Sequence, residues 1–267
     1  MTDYEVATDK ILVSRKGAAL EITFNNPQKH NALSVDMWRA VPPLLKQAEM
    51  DPDVRIIVFC GSGSKAFVSG ADISQFENER AAQEAVDRYE VMAEGALLGI
   101  LGCEKPTLAA VSGFCFGAGV NVAAACDIRV AAKSSLFCVP AAKLGLGYRL
   151  TAMQNLIDVI GMAATKDILY TARRVGTMEA LQMGLITAWA EDEAFGKLVE
   201  QYCTQIAENA PLTIRAAKRI ARELTKPAAA ADVHAAKRWI TECFESMDYT
   251  EGRSAFMEKR KPVFRGN

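Results

Sequence analysis

The sequence predicts an α/β fold closed by a helical C-terminal region. Short, mostly apolar runs recur at 54–60, 107–111, 127–132 and 136–139, the pattern of strands in a sheet covered on both faces. Between the earlier runs, longer stretches carry apolar residues at helical spacing. From Thr151 onward the pattern is almost wholly helical, broken by one strand-like segment at 185–190. The division this implies is a core at 1–192 and a helical region at 193–267.

The elements follow in order. Residues 10–15 and 18–24 read as two strands turned by Lys16-Gly17. Ser34 is placed to cap a helix whose one face carries Met37, Val41, Leu44, Leu45 and Ala48. Pro42 and Pro43 inside that helix predict a kink or a late start. After the strand at 54–60 come a Gly/Ser loop at 61–65, a short strand at 66–69, and a mostly helical segment at 75–102 that is apolar from Val91. Residues 122–125 continue the glycine-rich segment 113–121 as a tightly packed helix. The last helices are expected near 193–209, 213–225, 230–248 and 251–259. No fixed-period repeat interrupts this order.

The 267 residues are 50% hydrophobic and 24% charged, with 18 Gly and 9 Pro, an ordinary globular composition. Thirty-one basic residues face 32 acidic ones, so nothing offers the basic excess that nucleic acid requires. The seven Cys show no C-x-x-C spacing, which excludes the usual zinc cluster or dithiol motif; no metal site is expected. Cys60, Cys115, Cys126 and Cys138 sit among apolar neighbours and read as reduced, buried thiols, implying a reducing compartment, the cytoplasm. The N-terminal ten residues carry no apolar run and are not read as a secretory signal. The uncharged stretch 106–126 is long enough to span a bilayer, but its glycines, Ser112 and Asn121 break it into strand, turn and helix. No membrane segment is expected.

His30 and His234 have no recognisable nucleophile beside them and are read as surface or capping residues. The segment Gly61-Ser-Gly-Ser-Lys65 lacks the spacing of a phosphate loop, and Gly117-Ala-Gly119 lacks the third glycine of a dinucleotide site, so no nicotinamide cofactor is expected. Two turns carry more: Ser69-Gly70-Ala71-Asp72 and Gly117-Ala118-Gly119 each follow an apolar strand and precede a helix. Small residues let a ligand approach the backbone, and amides facing one point could hold a carbonyl oxygen that gains negative charge. Glycines at such junctions also serve packing alone, and both readings stand at this level.

The ordered motifs together resemble the enoyl-CoA hydratase/isomerase (crotonase) superfamily over nearly the whole chain. They are Asn26-Pro27-Gln-Lys-His-Asn31-Ala32-Leu33, Asp51-Pro-Asp-Val54, Ala66-Phe67-Val-Ser69-Gly70-Ala71-Asp72-Ile73, the segment 113–119, Cys126-Asp127-Ile128-Arg129, Ala180-Leu181-Gln-Met-Gly184-Leu185 and Phe256-Met-Glu-Lys259-Arg-Lys261. The resemblance implies the crotonase (ClpP/crotonase-like) fold, a spiral of ββα units followed by helices that mediate trimerisation, in a homotrimer or hexamer. It implies an acyl-CoA thioester substrate, with coenzyme A as part of that substrate and no separate cofactor. By motif matching, the two amides that stabilise the thioester enolate fall on Ala71 and Ala118. Coenzyme A would be held by Ala32 and by the turn Ser69, Gly70, Asp72, Ile73 and Ser74, with Lys259 reaching its phosphates from a neighbouring subunit.

The family's hydratases use two glutamates, and both are replaced, by Asn121 and by Ala141 after Pro140. Asparagine takes up no proton at neutral pH, and alanine has no side-chain donor or acceptor. The segment Leu144-Gly-Leu-Gly-Tyr148-Arg-Leu150 is similar to the methylmalonyl-CoA decarboxylase branch, in which a tyrosine lies in the active site. Tyr148 is therefore the candidate proton donor, with Asn121 orienting a carboxylate or water, while Lys143 and Arg149 are read as surface or structural. Ala71 departs from that branch, which has a histidine there. Four functions remain open: a hydratase with substituted groups, an isomerase, a decarboxylase of malonyl-type thioesters, and a catalytically silent acyl-CoA-binding subunit.

Overall fold

The computed structural model describes residues 4–72, 82–226 and 228–267. The chain opens with an antiparallel hairpin, β1 (Ile11–Lys16) and β2 (Ala19–Phe24), turned at Gly17, whose φ of +59° suits glycine. Helix α1 (Val35–Met50) begins where expected, with the Ser34 hydroxyl accepting the Met37 N–H. Pro42 and Pro43 do not delay it: they lie inside a helix that already starts at Val35. The buried stripe of Met37, Trp38, Val41, Leu44, Leu45 and Ala48 outweighs the two missing N–H donors.

β3 (Ile56–Gly61) and β4 (Ala66–Val68) follow, then α2 (Ala82–Gly102), β5 (Thr107–Val111), β6 (Phe114–Phe116) and α3 (Ala118–Ala125). Next come β7 (Ile128–Ala132), β8 (Leu136–Cys138), the single turn α4 (Ala141–Leu144) and α5 (Leu150–Thr171), interrupted at Gly161. β9 (Val175–Gly176), α6 (Thr177–Gln182) and β10 (Ala188–Ala190) complete the core. The chain ends with α7 (Phe195–Ala207), α8 (Pro211–Thr225), α9 (Val233–Glu245) and α10 (Met247–Glu258).

After the opening hairpin, the units β3-β4-α2, β5-β6-α3 and β7-β8-α4 each give their first strand to one sheet and their second to another. The larger sheet runs β1-β2-β3-β5-β7-β10 and the smaller β4-β6-β8-β9. Pairing is parallel from β2 through β10 and among β4, β6 and β8; only β1–β2 and β8–β9 are antiparallel. Alternate residues of β3 face opposite layers: Ile57 and Phe59 enter the main core, while Ile56 and Val58 meet α7 residues such as Phe195, Leu198 and Val199. α7, which lies beyond position 192, thus covers the outer face of the larger sheet.

The uncharged stretch 106–126 is folded into β5, β6 and α3, and no helix among the described residues is long and apolar enough to cross a membrane. All seven cysteines are free. Cys103, Cys115, Cys126 and Cys138 are buried and Cys60 half-buried beside Thr23; burial pushes the Cys126 thiol up to about 12.

Candidate active site

Parallel β4, β6 and β8 lie side by side, so their C-terminal ends open at one end of the smaller sheet, where ligands of open α/β sheets bind. The turns leaving them are Ser69-Gly70-Ala71, Gly117-Ala118 and Pro140-Ala141. Gly117 sits between its neighbours: a Cβ placed on it would lie 3.9 Å from both Gly70 Cα and Pro140 Cδ. Its own N–H donates to the Cys138 carbonyl at 2.8 Å. Two residues on, a Cβ on Gly119 would stand 2.4 Å from the Val68 carbonyl oxygen, so glycine lets α3 pack directly on β4.

The Ala71 turn is braced by the segment before α1. Leu33 N–H donates to Gly70 O and Asp72 N–H to Leu33 O, each at 2.9 Å, so Ala71 forms a parallel bridge with Leu33. In such a bridge the amide of Ala71 itself points to the opposite side. Ser69 donates its N–H to His30 O and its hydroxyl to Lys29 O, and the buried Asp72 carboxylate takes Lys29 Nζ at 3.0 Å on both oxygens. His30 stacks edge-on against Phe114 in β6. Asn31, left-handed at φ +57° and buried, ties this segment to the 61–65 loop.

Neither the Ala71 nor the Ala118 N–H donates to any acceptor among the described residues. Ala118 is the first residue of α3, where an amide has no intrahelical partner and the helix dipole is positive. Both residues are half-buried, on turns that lie side by side. One turn along α3, Asn121 Oδ1 accepts the Tyr148 hydroxyl, and among the described residues the Asn121 Nδ2 donors make no hydrogen bond. Burial drives the Tyr148 phenol well above its ordinary value of 10.0, against the opposing Asn121 hydrogen bond, so it stays neutral. Ala141 opens α4 and brings no functional group.

The remaining sequence candidates are distributed as follows. Ala32 has its N–H committed to Lys29 O and its carbonyl to Asn26 Nδ2, leaving one carbonyl lone pair to offer. Ile73 and Ser74 lie outside the described residues. Lys259 caps α10 in the left-handed conformation, exposed, and among the described residues no hydrogen bond or ion pair joins it to either turn. Lys143 is exposed, and Arg149 pairs with Glu90 at 3.0 Å. Among the described residues, no group of three or more His, Cys, Asp or Glu could hold a metal.

Two polar residues beside this cluster escaped sequence reasoning: the Thr151 hydroxyl donates to Glu94 Oε1, joining the start of α5 to α2. The signal available was Glu94 itself, the only charge between Glu90 and Glu104.

Residues 14–267 match the family model described as enoyl-CoA hydratase/isomerase. The chain is 31% identical to a crotonyl-CoA hydratase of Syntrophomonas wolfei, covering 97% of this chain and 99% of that one. It is 30% identical to the peroxisomal Delta(3,5)-Delta(2,4)-dienoyl-CoA isomerase of Arabidopsis thaliana, covering 92% of each. Among solved structures, an enoyl-CoA hydratase/isomerase family protein from Hyphomonas neptunium superposes with a TM-score of 0.91 at 36% identity, over 98% of this chain and 100% of that one.

Proposed function

Because this chain belongs to the enoyl-CoA hydratase/isomerase family and has its crotonase fold, we propose that it is an acyl-CoA enzyme that generates a thioester enolate without the paired glutamates of hydration. The observation that carries this is the pair of amides, Ala71 and Ala118, left without acceptors on touching turns. A thioester oxygen seated between them accepts both N–H groups. Those bonds strengthen as the oxygen gains charge, and each such donor contributes roughly 10²–10³-fold to turnover.

The chemistry around the oxyanion hole consists of donors. Asn121 keeps its Nδ2 donors available because Tyr148 occupies Oδ1, and Tyr148 is a neutral phenol able to donate. Ala141 gives nothing. This set suits double-bond migration or loss of a carboxylate, both of which pass through an enolate, better than water addition.

Coenzyme A would lie along the braced turn of Ser69, Gly70 and Asp72, with Ile73 and Ser74 the next candidates in the sequence. Ala32 would offer its carbonyl, and Lys259 of a neighbouring subunit would meet the phosphates as a point charge. Support for a homotrimer or hexamer comes from the C-terminal helices, where Phe256 is 82% and Met257 80% exposed. Seven free thiols support a reducing, cytoplasmic setting.

The test is solvent-deuterium exchange at the α-carbon of butyryl-CoA, alongside loss of conjugated absorbance from crotonyl-CoA. Exchange with little hydration is expected. Ala118→Pro removes one amide at the first helical position, where proline fits, and should lower exchange roughly 10²–10³-fold. Undiminished exchange in that variant would refute the site.

A further inference from the structure

We propose that Glu94, held by the Thr151 hydroxyl, is the base that moves the proton in this site. The inference rests on the enolate reading above and supplies the group that reading lacks, since Tyr148 is a donor, Asn121 an amide and Ala141 apolar. Links of the structure run from the donor pair to this carboxylate. Ala118 opens α3 and Asn121 stands one turn along it; Asn121 accepts Tyr148, and Thr151 follows Tyr148 by three residues at the start of α5. Thr151 Oγ1 then donates to Glu94 Oε1. Both α2 and α5 pack against α3.

The carboxylate is held rather than loose. Four residues earlier on the same face of α2, Glu90 receives Arg149 twice, through its carbonyl at 2.6 Å and its carboxylate at 3.0 Å. These contacts lock α2 to the residue before α5. Glu94 is half-buried; Thr151 satisfies Oε1, while Oε2 has no hydrogen bond among the described residues. A carboxylate with one oxygen anchored and the other open is placed to take a proton. Glu94 is also the one charge in an otherwise uncharged run of α2, an arrangement that packing alone does not require.

The step is a proton shuttle on a 3-enoyl thioester. Glu94 removes a proton from C2, and the C2–H electron pair enters a dienolate whose oxygen takes the Ala71 and Ala118 N–H groups. The carboxylic acid then returns the proton to C4, the double bond settles between C2 and C3, and the carboxylate is restored. No oxidant, water or metal is consumed.

The experiment follows conversion of 3-butenoyl-CoA to crotonyl-CoA by the rise in conjugated absorbance, with butyryl-CoA binding measured by calorimetry. Glu94→Gln should lower kcat roughly 10³-fold, within the range for losing a general base, while the butyryl-CoA Kd stays within about twofold of wild type. Glu94→Asp should retain part of the activity. Thr151→Val should lower kcat while the butyryl-CoA Kd stays within about twofold of wild type, and Thr151→Ser should restore most of the lost turnover. Turnover of Glu94→Gln within a few-fold of wild type, with Ala118→Pro inactive, would overturn the role of Glu94 and leave the enolate reading standing. A wild-type enzyme that binds butyryl-CoA yet neither exchanges its α-proton nor migrates the double bond would overturn both.

Discussion

Asn31 Nδ2 donates to the Ala66 carbonyl across 2.7 Å, bolting the segment before α1 to the first residue of β4. The same nitrogen reaches Ser62 O at 3.0 Å, and Oδ1 accepts the Asn26 N–H at 3.1 Å. Asn31→Ala would strand these backbone groups and place a Cβ residue without local hydrogen bonds at φ +57°. The expected cost is about 3 kcal/mol, read as a lower urea midpoint at unchanged slope. A loss below about 1 kcal/mol would contradict the strut assigned to this side chain.

Gly119→Ala would push a methyl to 2.4 Å from the Val68 carbonyl. Relief requires α3 to move off β4, and α3 carries Ala118. Overpacking of this kind costs about 1–3 kcal/mol, and turnover should fall further than stability does. An alanine variant with full activity would mean that the position of α3 does not set the donor pair.

Tyr148→Phe keeps the ring and removes the hydroxyl that occupies Asn121 Oδ1. A fall in kcat of roughly 10²-fold with a nearly constant KM is expected. Burial holds the phenol above its ordinary 10.0, so its neutral form persists and contributes no alkaline limb below pH 10. A wild-type limb near pH 8 that disappears in Tyr148→Phe would overturn this assignment.

The C-terminal clasp should open in acid. The Arg260 guanidinium on Glu251, at 2.6 and 2.9 Å, with a further hydrogen bond from the Val263 N–H, holds that carboxyl at about 2 instead of its ordinary 4.5. A group depressed on folding stabilises fully above its unfolded value and loses that contribution as pH falls through its folded one. Amides of 251–263 should therefore exchange faster between pH 4.5 and 2 relative to those of β3, and Arg260→Gln should remove the difference.

Much of the core was legible because local signals and burial agree. The Ser34 cap, the stripe of α1 and the apolar strands up to 139 fall within a residue or two of where the sequence places them, while the strand expected at 185–190 covers only Ala188–Ala190. Pro42 and Pro43 misled because their penalty is local, whereas the burial of Trp38 and Leu44 that overrides it comes from other parts of the chain. The two glycine turns could be read because close backbone approach demands small residues. The amides of Ala71 and Ala118 could be named only through the family resemblance, since the hydrogen bonds of the surrounding residues decide which N–H is left over. Thr151 and Glu94 are 57 positions apart, so only the fold pairs them.

The alternating delivery of strands to two sheets separates duties along the gene. Positions 71 and 118 lie where the second strands of the second and third units lead toward their helices, and 141, 148 and 151 follow the second strand of the fourth. On the proposed reading, substitutions in the fourth unit change the donors around Tyr148 while the turns at 71 and 118, and Glu94 in α2, stay as they are.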